Sequence, residues 1–338
     1  MPRQARLDAP GVLHHVMVRG VDRCNIFRDD VDRADFVARV GRLVEAGAWT
    51  VYAWALLPNH AHLLVRTAQR PLPRSMRSLL TGYAGAFNRR HKRAGHLFQN
   101  RYKSVVVEEE RYLLELVRYV HLNPLRSRVV PDLRTLDRYA WTGHSALLGR
   151  VRRPWQATAA VLGRFAERSG RARAHYRAFV RAGAPQGRRL DLQGGGLVRS
   201  AGGWAAVAAL RRGREAYAAD ERILGDSDFV GAVQAEVEAL ARQRARLHAR
   251  TPDLATLLRR LAAASGVAPT ALTGGGRTRA ITRVRDGLAY LWVEVLGRSG
   301  RGLADALGLQ PVSVYRAAQR GRREREGWMH VVGDEVGS

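Results

Sequence analysis

The sequence has very little cysteine, with Cys24 alone among 338 residues. One cysteine excludes an internal disulfide and a metal cage built on several thiolates, so any metal site must use histidine, carboxylate or amide ligands. Lysine is almost as scarce, at two residues, Lys92 and Lys103. No apolar run approaches the roughly 20 residues of a membrane-spanning helix, and the first residues carry no secretory signal. We therefore expect a cytoplasmic protein.

Acidic residues are also scarce, since 30 Asp and Glu stand against 57 Lys and Arg, which gives a formal charge of +27. The 46% hydrophobic content is that of a folded chain with a real core. Between Glu45 and Glu108 there is no acid at all, but there are ten basic residues: Arg66, Arg70, Arg74, Arg77, Arg89, Arg90, Lys92, Arg93, Arg101 and Lys103. The planar guanidinium group of arginine can donate two hydrogen bonds to one phosphate. The excess of basic over acidic residues therefore indicates a nucleic-acid partner and association with the nucleoid.

Composition divides the chain into three segments. Residues 1–150 change hydrophobic period several times, which is typical of an α/β mixture, and we expect them to hold the chemistry. Residues 151–225 predict a helical connector with a Gly-rich linker at Gly194, Gly195, Gly196, Gly202 and Gly203. Residues 226–338 predict a second, helical domain.

The first segment predicts strands and helices in the order βαββαβα. The expected strands are 13–18, 49–57, 60–66 and 102–107, and the expected helices are 32–45, 73–91 and 108–122, the last ended by Pro124. This order is that of the ferredoxin-like fold, an antiparallel sheet with helices on one face. The predicted class is therefore α+β, followed by a mostly helical C-terminal region.

The end of the chain predicts a helix-turn-helix. Two short helices, 302–307 and 311–320, flank a tight turn at Gly308, and Arg316 and Arg320 lie on the exposed side of the second helix. An ordinary pair of packed helices has the same pattern, so both interpretations stay open here.

Two histidines two residues apart are the first candidate for chemistry. On a strand, residues i and i+2 point to the same face, so His60 and His62 would present adjacent imidazoles to a divalent cation. The second candidate lies on the predicted helix 108–122 and its continuation, where Tyr119 and Asn123 share a face at the spacing i, i+4. A tyrosine can attack a phosphodiester when a cation takes up charge on the phosphate. Each pair alone is also compatible with a purely structural role.

Together these motifs resemble the REP-associated tyrosine transposases, a branch of the one-tyrosine HUH transposases that act on single-stranded DNA. The resemblance covers about residues 8–150 and is carried by HVMVRG at 15–20, LPNHAHLL at 57–64, GHLFQNRYK at 95–103, YVHLNPLR at 119–126 and YAWTGHS at 139–145. The first four of these motifs, in this order in one domain, make it specific. The C-terminal segment loosely resembles the DNA-binding domain of bacterial replication initiators.

The resemblance implies a metal-dependent strand transferase that cuts and rejoins single-stranded DNA at hairpin-forming repeats. Tyr119 would be the nucleophile that forms a 5′-phosphotyrosine, and His60, His62 and Asn123 would bind Mg²⁺ or Mn²⁺. The wider insertion-sequence family carries Gln at the position of Asn123. The DNA would be held by basic residues of both domains: Arg19, Arg101, Lys103, Arg89, Arg90, Arg316 and Arg320.

Other interpretations stay open at this point. A non-catalytic DNA-binding protein, such as a domesticated transposase or a repressor, would use the same basic surface. A replication-initiator or relaxase-type nickase commonly has paired tyrosines, and no tyrosine lies four residues from Tyr119. His14, His15 and His121 are spare imidazoles, and Tyr102 is a competing nucleophile. We expect a monomer, with a dimer as the alternative.

Overall fold

The computed structural model describes residues 7, 9–99, 101–187, 189, 192, 220–276 and 278–331, without the side chains of 244–250. The chain divides into two compact units, Met1–Glu238 and Ala239–Ser338. The Gly-rich linker predicted at 194–203 lies outside the described residues. No helix in the described ranges is both long enough and apolar enough to cross a membrane.

The first unit is built on a five-stranded sheet in the order β2-β3-β1-β4-β5. Its strands are β1 (Leu13–Arg19), β2 (Trp49–Leu57), β3 (His60–Thr67), β4 (Lys103–Val107) and β5 (Ile223–Leu224). The pairs β2–β3, β3–β1 and β1–β4 are antiparallel, whereas β5 lies parallel to β4. The predicted α+β class is confirmed, and the late strand β5 makes the sheet mixed.

Three long helices follow the predicted order: α1 (Asp30–Glu45), α2 (Leu72–Arg90) and α3 (Glu109–Arg126). Asp29 caps α1, because its carboxylate accepts hydrogen bonds from the backbone N–H of Val31 and Asp32. Glu109 and Glu110 in the first turn of α3 suit the positive end of its dipole.

The helices cover both faces of the sheet, where the sequence predicted one. Apolar side chains of α1 and α2 pack with Val16, Leu63 and Val65, whereas those of α3 pack with Leu13, Leu64 and other residues of the opposite face. Strand β2 is apolar at odd and even positions alike from Val51 to Leu57, so both of its faces must be buried. The face under α3 is the one that carries His60 and His62.

Four further helices follow α3 along the chain: α4 (Leu133–Leu136), α5 (Gly143–Leu147), α6 (Thr158–Leu162) and α7 (Ser169–Gly183). Helix α7 belongs to the segment predicted as a connector. Its Ala172, Tyr176 and Val180 lie in the same buried cluster as the apolar face of α3. The described part of that segment is thus packed into the first unit.

The next helices are α8 (Ser227–Arg250), α9 (Leu254–Ser265), α10 (Pro269–Thr273), α11 (Arg279–Tyr290), α12 (Gly300–Ala306), α13 (Pro311–Gly321) and α14 (Arg325–Met329). Helix α11 runs on as a π-helical turn at Leu291–Val295. The predicted helix pair appears as α12 and α13. Gly308 between them has φ of +61°, a left-handed conformation that glycine adopts without strain.

Candidate active site

The pairing of β1 with β3 places the candidate histidines on one face of the sheet. In this antiparallel register His62 lies opposite Met17, and His60 lies opposite Arg19. Since alternate residues share a face, His15, Met17 and Arg19 of β1 point to the same side as His60 and His62. This is the side covered by α3.

Helix α3 brings the other two predicted site residues to the histidines. The ring centroids of His60 and His62 are 5.2 Å apart, and the Tyr119 ring lies edge-on to His62 at 6.1 Å. Asn123, one turn further along α3, lines the same cleft, which has a volume of about 610 Å³. The four residues predicted from two separate motifs therefore meet at one place.

The nitrogen end of the Asn123 side chain is used within the helix. Its Nδ2 donates to the carbonyl oxygens of Tyr119 at 3.0 Å and Val120 at 3.4 Å. Pro124 has no N–H for the Val120 carbonyl four residues before it, and the Asn123 amide supplies a donor instead. The prediction that Pro124 ends the helix at 122 is wrong, since α3 continues to Arg126. The helix continues past Pro124 because the Asn123 amide replaces the missing N–H.

Both histidines have their Nδ1 atoms occupied, which leaves Nε2 as the ligand atom. The Nδ1 of His60 donates to the Asn59 Oδ1 at 2.6 Å, and the Nδ1 of His62 lies 3.0 Å from the Nε2 of His15. The Asn59 amide is itself oriented, since its Nδ2 donates to the carbonyl oxygen of Arg23. Partners at the second nitrogen are what metal-binding histidines ordinarily have.

Burial keeps both imidazoles uncharged. Burial and then the charge of Arg19 lower the pKa of His60 to about 4. The pKa of His62 is held well below its usual value by burial and by the neighbouring His15, His60 and Arg19. Neutral imidazoles can donate a lone pair at physiological pH.

The donor set fits a small divalent cation. Two neutral imidazoles and an amide oxygen are ligands compatible with Mn²⁺ or Mg²⁺, although water and phosphate oxygens must complete the coordination. Among the described residues there is no group of three His, Cys, Asp or Glu that could hold a metal ion. Asn123, which lines the same cleft, is the residue whose amide oxygen is predicted as a third ligand.

A guanidinium group lies beside the predicted nucleophile. The Arg126 Cζ is 5.5 Å from the centre of the Tyr119 ring, and Arg126 donates through Nη2 to the carbonyl oxygen of Gly183 at 3.2 Å. Burial lowers the pKa of Arg126, whereas a negative charge on Tyr119 would raise it. Arg126 thus places a positively charged group beside the Tyr119 ring.

The predicted DNA-binding residues fall into three separate places. Arg19, Arg101 and Lys103 are exposed and line the cleft. Arg89 and Arg90 end α2 and are not among the cleft-lining residues. Arg316 and Arg320 lie on α13 in the other unit.

Two of these arginines are engaged in ion pairs. Arg90 contacts the carboxylates of Asp29 at 2.6 Å and Asp32 at 2.7 Å, and these contacts raise its pKa. Arg320 makes two hydrogen bonds of 2.7 Å to Asp286. Phosphate would have to compete with these carboxylates, so Arg316 is the better placed of the pair on α13.

The sequence missed two residues of the site, His15 and Arg126. The sequence gives His15 no role, because the sequence of one strand does not show which residues of a neighbouring strand will lie beside it. The signal that could have found His15 is the alternation along the strand, since His15, Met17 and Arg19 alternate with Val16 and Val18 and so share one face. Arg126 lies one turn beyond Asn123 but was hidden by the expected end of the helix at 122.

A buried polar chain supports α3 on its other side. The Tyr176 hydroxyl of α7 lies 2.8 Å from the Nδ1 of His121 and 2.6 Å from the Nδ1 of His144. The Nε2 of His144 contacts Asp137 at 2.9 Å. His121 is two residues from Tyr119 on the helix and points away from the cleft, as the sequence predicts. These hydrogen-bonded side chains therefore hold α3 in place and take no part in the chemistry.

Replacing Tyr176 with phenylalanine should lower the free energy of unfolding of the first unit by about 2–4 kcal/mol, because two buried imidazoles lose their partner. Urea denaturation of the wild type and the variant measures the change. An unchanged free energy would contradict the contribution assigned to this hydroxyl.

One family model matches the part of the chain that holds the candidate site. Residues 10–123 match the family model described as "Transposase IS200 like". No curated protein matches the chain at a significant level. A solved structure titled "Structure of the REP associates tyrosine transposase bound to a REP hairpin" is similar at 15% identity and a TM-score of 0.37, covering 46% of this chain and 90% of that one. The likeness to IS200-like transposases thus covers residues 10–123, the part of the chain that holds His60, His62, Tyr119 and Asn123.

Proposed function

We propose that the protein is a transposase that cleaves and rejoins single-stranded DNA at hairpin-forming, REP-like palindromes through a 5′-phosphotyrosine. The observation that carries this proposal is the convergence of His60, His62, Tyr119 and Asn123 in one basic cleft of a transposase-family domain. A protein that only binds DNA has no need for this combination of groups. The sequence resemblance to the REP-associated branch supplies the choice of hairpin DNA.

Binding is assigned to the basic rim of the cleft. Arg19, Arg101 and Lys103 would contact the phosphates on both sides of the scissile bond, since side chains of this kind fix the register of a nucleic-acid backbone. Base recognition requires other contacts. We propose that the exposed Arg316 of α13 contacts the duplex stem. This proposal gives the predicted helix-turn-helix at 302–320, in the segment 226–338, a DNA-binding role and leaves the chemistry to 1–150.

Tyr119 would attack the scissile phosphorus in line with the departing 3′ oxygen. The Tyr119 Oη–P bond forms, the P–O3′ bond breaks, the phenolic proton passes to water, and the released 3′ oxygen takes up a proton. When bound by His60, His62 and Asn123, Mg²⁺ or Mn²⁺ supplies positive charge that polarises the phosphate and offsets charge on the departing oxygen. Arg126 adds a fixed cation beside the phenol.

Rejoining is the same exchange in reverse. A 3′-hydroxyl of a new strand attacks the phosphotyrosine, a P–O3′ bond forms and the P–Oη bond of Tyr119 breaks. Each step exchanges one phosphodiester for another, so no nucleotide triphosphate is needed. A monomer is proposed as the active form, with a dimer as the alternative.

The test uses end-labelled single-stranded oligonucleotides that carry the palindromes flanking the gene. With Mg²⁺ or Mn²⁺ we expect a labelled species that survives denaturation at the mass of protein plus DNA fragment, and with EDTA we expect none. Tight binding of the hairpin on a native gel without this species, under either metal, would instead establish the non-catalytic DNA-binding protein.

A further inference from the structure

We propose that Arg126 is a further catalytic residue, whose guanidinium group binds the phosphate that Tyr119 attacks and is held in the cleft by the end of α7. The inference deepens the proposed function and rests on it for the identity of the phosphate. It adds a contact with the substrate to the positive charge that Arg126 places beside the phenol.

Arg126 lies where α3 borders the cleft. It follows Tyr119 by about two helical turns, so it shares a face of α3 with Tyr119 and with Asn123 between them. Its Cζ is 5.5 Å from the centre of the Tyr119 ring, and its side chain lines the same cleft as His60 and His62. A phosphate positioned for attack by Tyr119 therefore enters within reach of Arg126.

Arg126 carries a positive charge that no carboxylate neutralises in the described part of the chain. The titratable groups that act on it electrostatically are Tyr119, Arg118 and Arg189. The carboxylate of Glu115 is paired with the other two guanidinium groups, at 2.6 Å from Arg118 and 3.6 Å from Arg189. Because a partly buried charge is costly without an opposite charge, this arrangement favours an anion beside Arg126. In the cleft of the proposed enzyme that anion is a phosphate of the DNA strand.

Two of the three guanidinium nitrogens of Arg126 have N–H groups left to donate. Nη2 donates to the carbonyl oxygen of Gly183 at 3.2 Å, whereas Nε and Nη1 have no partner among the described residues and are shielded from water. The side chain as a whole is half-buried and lines the cleft, so rotation about its terminal bonds can bring these donors to a phosphate. Phosphate oxygens are acceptors that match the planar guanidinium group.

The end of α7 holds this side chain in place. Gly183 is the last residue of α7, and the carbonyl groups near a helix C-terminus carry the negative end of its dipole, which attracts cations. Arg118 docks on the same end, with its Cζ 4.2 Å from the centre of the Phe179 ring. A β-carbon at position 183 would overlap the Arg118 side chain, so the glycine lets α3 and α7 approach closely. Arg126 and its anchor both lie beyond the residues that the family model matches.

The role of Arg126 in the reaction is to stabilise negative charge. A phosphodiester is an anion before attack and again as a phosphotyrosine, and more of the charge gathers on its non-bridging oxygens while Tyr119 attacks. Arg126 donates hydrogen bonds to one of these oxygens and keeps its own protons. The bonds that form and break are still those between the Tyr119 oxygen, the phosphorus and the 3′ oxygen.

Binding in EDTA tests the contact without cleavage. The probe is the end-labelled hairpin oligonucleotide with its single-stranded flank, titrated on native gels at several salt concentrations against the wild type and Arg126→Gln. We expect Arg126→Gln to bind about tenfold more weakly. The slope of log affinity against log salt should become shallower by about 0.7, the amount for one phosphate contact to a single strand.

The matched control is Arg111→Gln, which removes the same charge from the same helix. The Arg111 Cζ lies 5.4 Å from the centre of the Tyr112 ring, but neither residue lines the cleft. We expect this variant to have nearly the wild-type affinity and salt slope. Equal losses in the two variants would mean that only the overall charge matters, and an unchanged Arg126→Gln would mean that there is no contact. Either result overturns the proposal.

The rate of adduct formation at saturating DNA separates catalysis from binding. With Mg²⁺ or Mn²⁺ we expect Arg126→Gln to form the adduct about 10²–10³-fold more slowly even when all of the DNA is bound, as for other lost donors to developing charge. Arg126→Lys keeps the charge but not the planar fork, so we expect the wild-type salt slope and a reaction about tenfold slower. The lysine variant carries the test if Arg126→Gln does not fold, and an adduct rate equal to that of the wild type would then overturn the contact.

The two proposals fail in different ways. If Arg126→Gln shows the weaker binding and the shallower salt slope but the wild type forms no adduct with either metal, the phosphate contact stands and the transposase function fails. If the wild type forms the adduct and Arg126→Gln matches it in affinity, salt slope and rate, the role of Arg126 fails alone. A wild type that binds no hairpin DNA contradicts both.

Discussion

Replacing Tyr119 with phenylalanine should reduce formation of the covalent protein–DNA adduct by more than about 10⁴-fold, because the change deletes the nucleophilic oxygen itself. The phenyl ring retains its contacts with His15, His62 and Arg126, so the fold and hairpin binding should persist. Denaturing gels of labelled hairpin reactions give the adduct yield, and native gels give the affinity.

The matched control is Tyr112→Phe, the same chemical change two turns earlier on α3. Tyr112 does not line the cleft, so this variant should form the adduct at close to the wild-type rate. A Tyr119→Phe protein that still forms a metal-dependent adduct would transfer the role to another side chain, with Tyr102 the first to examine.

The second large effect is a loss of stability in mild acid. Burial lowers the pKa of six histidines of the first unit, and for three of them the value is about 4: His14, His15 and His60. His62 and His121 lie well below the usual value, and His144 is also lowered. The unfolded chain regains an ordinary histidine pKa near 6.5.

The direction follows from proton linkage. Below pH 6.5 the unfolded state binds more protons than the folded state, so the free energy of unfolding falls as pH falls from about 6.5 toward 4. Each histidine whose folded pKa is about 4 contributes up to about 1.4 kcal/mol per pH unit, so the three together give a slope approaching about 4 kcal/mol per pH unit, which His62, His121 and His144 make steeper. We expect the first unit to lose more than half of its stability between pH 7 and pH 5.

Amide hydrogen exchange of β1, β2 and β3 measures this loss where it occurs. The second unit is an internal control, because none of its described histidines is buried, and its helices should keep their protection. His14→Leu should reduce the slope by about one proton. Equal protection of the sheet at pH 5 and pH 7 would contradict the assignment of neutral buried histidines.

The local periodicity of the sequence predicts much of the fold and brings the candidate site residues into pairs. The spacing of His60 and His62 on a strand, and of Tyr119 and Asn123 on a helix, fixes which side chains share a face whatever the tertiary structure is. The alternation of strands and helices over the first 126 residues was likewise visible, because each element buries a face of its own period.

What the sequence could not show depends on contacts between distant segments. Strand β5 has two residues, Ile223 and Leu224, and takes its place by pairing with β4. His15 joins the site only because β1 pairs with β3. The sequence predicts Arg90 as a phosphate-binding residue, but in the folded chain it forms ion pairs with Asp29 and Asp32. Such pairings have no signal in local spacing.

The most direct measurement is mass spectrometry of the trapped adduct after protease and nuclease digestion. The mechanism predicts a single modified peptide that carries a nucleotide 5′-phosphate on the oxygen of Tyr119, together with a DNA product ending in a free 3′-hydroxyl. A phosphate joined to any other residue, a 3′-phosphate linkage, or cleaved DNA without a protein adduct would contradict it.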